Sequence, residues 1–225
     1  MSRTWRAPSP ADVERHPPEE VFAAGERNHH VSNTAYPLAH GTTWRPYRIA
    51  DRARHREVVA EAFAGRDELC LYSHLPFCEV RCAYCEYTVV GREEAAQVRQ
   101  YMGWLSAELR LYRELLGTGS RTLQGFDLGG GTPSLVPAEL IAEHLGEVRC
   151  AFRFAPGVEI SIETTPKIAA REPQKLAAYY RAGIRRISMG VQVIEPKLLR
   201  ILHREENGAE LHRAGVDHLR QAGFQ

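Results

Sequence analysis

Three cysteines fall within eight residues, Cys78-Glu-Val-Arg-Cys82-Ala-Tyr-Cys85. Soft thiolates on one short loop select iron–sulfur clusters, zinc or copper(I). A C-x3-C-x2-C run supplies three ligands, which suits three irons of a [4Fe–4S] cube and leaves the fourth iron open to another molecule. Zinc is the competing reading, but structural zinc takes four ligands, commonly from paired C-x2-C modules. No second pair exists here, and Cys70 and His74 lie on the preceding strand segment. Cys150 falls in a predicted helix on its apolar side and reads as a small buried hydrophobe. An odd count of five cysteines, three of them clustered, points to a metal site rather than a disulfide framework.

Other residues with chemical potential lie further along. Gly129-Gly130-Gly131-Thr132-Pro133 stands between a predicted strand and a predicted helix. Glycines there allow a ligand to approach the backbone closely, although the G-x-G-x-x-G dinucleotide spacing is absent. Glu163 and Gln192 end predicted strands, where a βα barrel places its chemistry. Tyr72 and His74 share one strand face, opposite Leu71 and Leu75. Arg204 is suited to clamping a carboxylate, or to a simple role at a helix C-terminus. His16, His29, His30 and His40 are spaced irregularly, which favours solvated or local roles over a metal site.

The elements that position these residues follow from periodicity. A helix is predicted over 52–64, with Gly65 as its stop. Val98, Tyr101, Leu105, Leu109, Tyr112 and Leu116 recur at helical spacing, and Gly117 ends that helix. Strands are predicted at 69–75, 123–129, 158–163 and 185–191, with helices near 137–152, 172–182, 196–203 and 208–222. Such alternation indicates βα units and a parallel sheet. Glu159, Ser161 and Glu163 alternate with Val158, Ile160 and Ile162, and Ser188, Gly190 and Gln192 share a side. Strands buried on both faces would read as continuous apolar runs. This pattern predicts a partial (β/α) barrel of the α/β class, with helices outside and a polar interior.

Residues 1–68 are read as an extended, proline-rich arm plus the first helix, and 69–225 as the core. The 29 Lys and Arg nearly balance 28 Asp and Glu, which gives no electrostatic reason to expect nucleic acid or an anionic membrane as partner. No apolar run reaches bilayer-spanning length, and the N-terminus lacks the apolar stretch of a signal peptide, so a cytoplasmic protein is expected.

Taken in series, these motifs resemble the radical S-adenosylmethionine (SAM) enzymes, and within them the oxygen-independent coproporphyrinogen III oxidase family. The resemblance is carried by Tyr72-Ser-His74-Leu-Pro-Phe-Cys78, Tyr84, Gly129 to Pro133, Glu159-Ile-Ser-Ile-Glu163, Gly183 to Gln192 and the segment ending at Arg204. It implies a [4Fe–4S] cluster on Cys78, Cys82 and Cys85, and SAM bound to the open iron and cleaved to a 5′-deoxyadenosyl radical. It also implies SAM contacts from Gly130, Gly131, Thr132 and Glu163. Tyr84, Gln192 and Arg204 match contacts to a second SAM, and Tyr72 and His74 match site residues near the cluster. The implied reaction is oxidative decarboxylation of coproporphyrinogen III propionates to vinyl groups in heme biosynthesis, with a flavodoxin- or ferredoxin-type electron donor.

The segment Thr34-Ala-Tyr36-Pro37-Leu-Ala-His40 resembles a Tyr-Pro segment of the oxidases, and heme chaperones of the superfamily lack such an arm. Two departures keep alternatives open. Cys85-Glu86-Tyr87 stands where the oxidases show Cys-Gly-Cys, so a radical SAM C-methyltransferase and a heme-binding chaperone stay in play. Four barrel strands are predicted against the six of a full radical SAM core, so a chain ending after about four βα units is expected.

Overall fold

The computed structural model describes residues 51–85, 89–91, 95–117 and 121–224. The arm, with its Tyr-Pro segment and four early histidines, lies outside the described residues, as do Glu86 and Tyr87.

Helix α1 (Arg52–Phe63) starts where the Asp51 carboxylate accepts from the Ala53 N–H, and the chain turns at Gly65, φ 70°. Strand β1 (Glu68–Leu75) follows, then the cysteine loop, α2 (Ala95–Leu116) and β2 (Thr122–Gly130). After a 3-10 turn come α3 (Ala138–Ala151), the two-residue β3 (Arg153–Phe154) and β4 (Ile160–Thr164). The remainder is α4 (Pro166–Arg171), α5 (Pro173–Ala182), β5 (Ile184–Met189), α6 (Pro196–Ile201) and α7 (Ala209–Ala222), with a second 3-10 turn at Glu205–Asn207. The strands are all parallel, in the order β1-β2-β4-β5, and β3 pairs with β2. This is the expected partial (β/α) barrel.

Two elements differ from expectation. The strand β3 is too short for periodicity to register. Residues 166–182 form two helices, because Pro173 cannot donate to the preceding turn and restarts the helix at its own first position. The Thr165 side chain caps α4 by accepting from the Ile168 N–H.

One sheet face carries the core. Leu75, Phe126, Leu128, Ile160, Ile162 and Ile184 are buried with Met102 and Leu109 of α2, Leu140, Ile141, Leu145 and Val148 of α3, and Leu176 and Tyr179 of α5. Each such side chain contributes roughly 1.5–3 kcal/mol by leaving water. Irregularities keep the apolar residues on this face. A bulge between Leu69 and Cys70 in the β1–β2 register lets Leu123 and Phe126 both point inward, and one at Ile160/Ser161 does the same for Ile184 and Ile187. Cys150 corrects the sequence reading, because it is exposed while its neighbours Val148 and Ala151 fill the core-facing side of α3.

The opposite face is polar, as the alternation predicts. Tyr72, Asp127, Ser161 and Arg186 form one lateral row across β1, β2, β4 and β5. Arg186 pairs with Asp127 at 2.7 Å and donates to the Ser161 hydroxyl, which in turn donates to Asp127. One row nearer the C-terminal ends, His74 lies opposite Gly129, and Glu163 opposite Ser188.

Candidate functional site

The C-terminal ends of β1, β2, β4 and β5 deliver the cysteine loop, Gly130–Thr132, Glu163–Thr165 and Ser188–Gln192 to one cavity of about 370 Å³, which His203–Asn207, after α6, also lines. Cys78, Cys82, Cys85, Tyr84, Gly130, Gly131, Thr132, Glu163, Gln192 and Arg204 all line it. Tyr72 and His74 do not. They sit below it on the inner face of β1, with the Tyr72 hydroxyl 3.4 Å from His74 Nδ1.

The cysteine loop is tied at both ends by backbone. Cys78 N–H donates to Val90 O, and Val90 N–H donates to Pro76 O. Past the second cysteine, Ala83 N–H donates to Leu202 O beyond α6, and Arg81 holds the Cys85 carbonyl through Nε and Nη2. The glycine loop packs directly on this start: Gly131 N–H donates to Leu75 O, and Thr132 N–H to Phe77 O at 2.7 Å. An added Cβ at Gly131 would lie 2.6 Å from Phe77 O, so only glycine lets β2 end against the segment that launches Cys78.

The thiols are electrostatically linked. Burial pushes the Cys78 thiol up; a hydrogen bond with Thr132 Oγ1 opposes this, and the neighbouring thiols of Cys85 and Cys82 raise it further. Ionising Cys78 beside two further thiols is unfavourable in partial isolation from water, and a polycationic centre would relieve it. Among the described residues no three His, Cys, Asp or Glu side chains converge as they would around a single ion. Three cysteines on one loop supply a donor set that would suit an iron–sulfur cluster.

Glu163 is accessible, yet the cavity walls strip enough water to raise its carboxyl pKa, against a hydrogen bond from Gly130 N–H that lowers it and the nearby Asp127 that adds to the rise. Arg204 is only 9% exposed, with Nη1 3.1 Å from Cys82 Sγ and Nη2 on Gly190 O. Burial likewise raises the Tyr84 phenol, with Arg204 opposing and the nearby Cys82 adding to the rise.

Sequence reasoning missed several lining residues. Lys167, at the start of α4, reaches Glu79 of the cysteine loop at 2.7 Å and also pairs with Glu206. Desolvation lowers its pKa, but the two carboxylates outweigh it and hold the ammonium charged. This anchor joins residues 88 positions apart, so local pattern carried no sign of it. Gln192 and His203 both have left-handed backbone, φ 62° and 55°, at the cavity wall. Each such non-glycine residue costs of order 1–3 kcal/mol and is held by its surroundings, as strained residues at functional sites are.

Comparison with known proteins agrees with this geometry. The model of the radical SAM superfamily matches residues 72–225. The oxygen-independent coproporphyrinogen III oxidase of Paracoccus denitrificans is 36% identical over 169 residues, which is 75% of this chain and 36% of that protein. The heme chaperone HemW of Haemophilus influenzae is 35% identical over 148 residues, 65% of this chain and 38% of that protein. Among solved structures, coproporphyrinogen III oxidase (HemN) from Escherichia coli, described as a radical SAM enzyme, superposes with a TM-score of 0.67 at 30% identity, covering 75% of this chain and 38% of that one. The chain thus spans less than two-fifths of the length of these relatives. Among the described residues no helix is long and apolar enough to cross a membrane.

Proposed function

The chain belongs to the radical SAM superfamily, and from that premise we propose that it holds a [4Fe–4S] cluster through Cys78, Cys82 and Cys85 and binds SAM in the adjoining cavity. The superfamily implies both groups. When bound, they supply hydrogen-abstracting radical chemistry, which the protein must orient and shield from water. The observation that carries the reading is the meeting of three thiols, the Gly130–Thr132 loop and Glu163 around one cavity at the C-terminal ends of the strands.

The chain's own groups divide this work. Glu163, as carboxylate, and the backbone of Gly130 and Gly131 offer acceptors and donors to the ammonium and carboxylate of an amino acid end. Gln192 and Tyr84 line the same cavity and are offered to a second small molecule there. Tyr72 and His74, on the polar face of β1, would face substrate entering along the sheet.

By likeness to the Paracoccus oxidase, the reaction proposed is oxidative decarboxylation of coproporphyrinogen III propionates, with electrons from a reduced flavodoxin- or ferredoxin-type protein in the cytoplasm. The Haemophilus chaperone supports a second reading, in which the same core carries heme. The test is EPR of the anaerobically reconstituted, reduced protein with and without SAM, followed by product analysis with coproporphyrinogen III and by heme titration. A [4Fe–4S]⁺ signal that shifts with SAM and vanishes in Cys82→Ala supports the site. Vinyl products separate oxidase from chaperone. Stoichiometric zinc without a cluster would refute the proposal.

A further inference from the structure

Arg204 presents an electrostatic problem. It is 9% exposed, and among the described residues no carboxylate pairs with it. Its Nε is buried without a partner among them as well. A largely buried cation without a counter-charge is unfavourable, and an anionic group beside it relieves this. The group that Arg204 does touch is Cys82 Sγ, 3.1 Å from Nη1, while Nη2 is fixed on Gly190 O at the end of β5. The backbone around Arg204 is also built to aim it: His203 takes a left-handed φ of 55°, and Arg204 N–H returns to Leu199 O at 2.8 Å.

We propose that Arg204 is a positioning residue for the cluster, donating to the Cys82 sulfur so that one-electron reduction of the cluster becomes easier. The reduced cluster carries one more negative charge than the oxidised one. A fixed positive charge and an N–H donor at a ligand sulfur therefore favour the reduced form and raise the potential. The planar guanidinium suits this task because one fork spans the thiolate and the Gly190 carbonyl at once. In this role Cys82 differs from Cys78, whose sulfur lies 3.7 Å from the neutral Thr132 hydroxyl.

The inference rests on the cluster assignment, and the experiment separates the two. The full chain is reconstituted anaerobically, its iron and sulfide are counted, and the cluster is titrated with dithionite under EPR without SAM. Arg204→Met is expected to lower the ratio of reduced to oxidised cluster at fixed potential about tenfold, equivalent to about 59 mV for a one-electron couple. Arg204→Gln keeps an amide donor but no charge, and is expected to lower it by less. It carries the measurement if Arg204→Met takes up no cluster. A loaded variant with the wild-type potential, losing only SAM affinity, overturns the inference and makes a ligand carboxylate the partner of Arg204. Wild-type protein that takes up no iron and sulfide defeats the cluster assignment instead.

Discussion

Replacing Gly131 by alanine places a methyl group 2.6 Å from Phe77 O and 2.8 Å from Pro76 C, both backbone atoms. A comfortable carbon contact needs about 3.5 Å, so one backbone must retreat by almost 1 Å. The retreat pulls on two hydrogen bonds, Gly131 N–H to Leu75 O and Thr132 N–H to Phe77 O. Each contributes roughly 0.5–1.5 kcal/mol net, and overpacking of this kind typically costs 1–3 kcal/mol. Together they predict a loss of about 2–4 kcal/mol, or a fall in Tm of roughly 6–12 °C at about 3 °C per kcal/mol for a domain of this size. Gly129→Ala is the internal control: the atoms nearest its methyl belong to the Tyr72 side chain, which is 56% exposed and can give way where backbone cannot. That variant is expected to lose under about 1 kcal/mol. Thermal unfolding by circular dichroism reads both, and iron content after reconstitution reads the displaced Cys78. A Gly131→Ala protein with wild-type Tm and full iron would refute the argument that the glycine exists for this backbone approach.

Other outcomes follow from the same geometry. Cys82→Ala should abolish cluster uptake while the exposed Cys70 and Cys150, replaced by alanine, leave iron content unchanged. Lys167→Met should cut the tie to Glu79 and lower stability by about 1–3 kcal/mol, as expected for hydrogen bonds to charged groups, with slower iron uptake during reconstitution. His144 is 2% exposed, accepts or donates at Ser73, and has its pKa held below 6.5 by burial, with Glu147 partly opposing. The unfolded chain therefore binds a proton that the folded chain refuses, so stability is complete above about pH 6.5 and falls as the pH drops below it, by at most about 1.4 kcal/mol per unit. Denaturant titrations from about pH 7 to 5 should show a flatter slope for His144→Gln, and an unchanged slope would defeat the assignment. The raised pKa of Glu163 means its carboxylate protonates earlier than an ordinary one on acidification, so SAM affinity should fall with decreasing pH in the wild type and not in Glu163→Gln, measured by calorimetry.

The sequence by itself determined the elements and the chemistry-bearing motifs, because both are local. Thiolate spacing is a property of eight residues, and the two periodicities that distinguish helix from strand need only a dozen. Cys78, Cys82 and Cys85, the glycine loop and Glu163 could be singled out without coordinates from their motifs and the resemblance those carry in series, and the fold brings them to one cavity. What tertiary structure alone decided is pairwise and distant. The Lys167 anchor on Glu79, the meeting of Arg204 with Cys82 across 122 positions and the Asp127–Ser161–Arg186 row depend on which strands became neighbours and in which register. The exposure of Cys150 and the left-handed backbone at Gln192 and His203 were equally hidden, since surrounding packing sets both. A residue's own type says what it can bond; only the folded chain decides what stands within 3 Å of it.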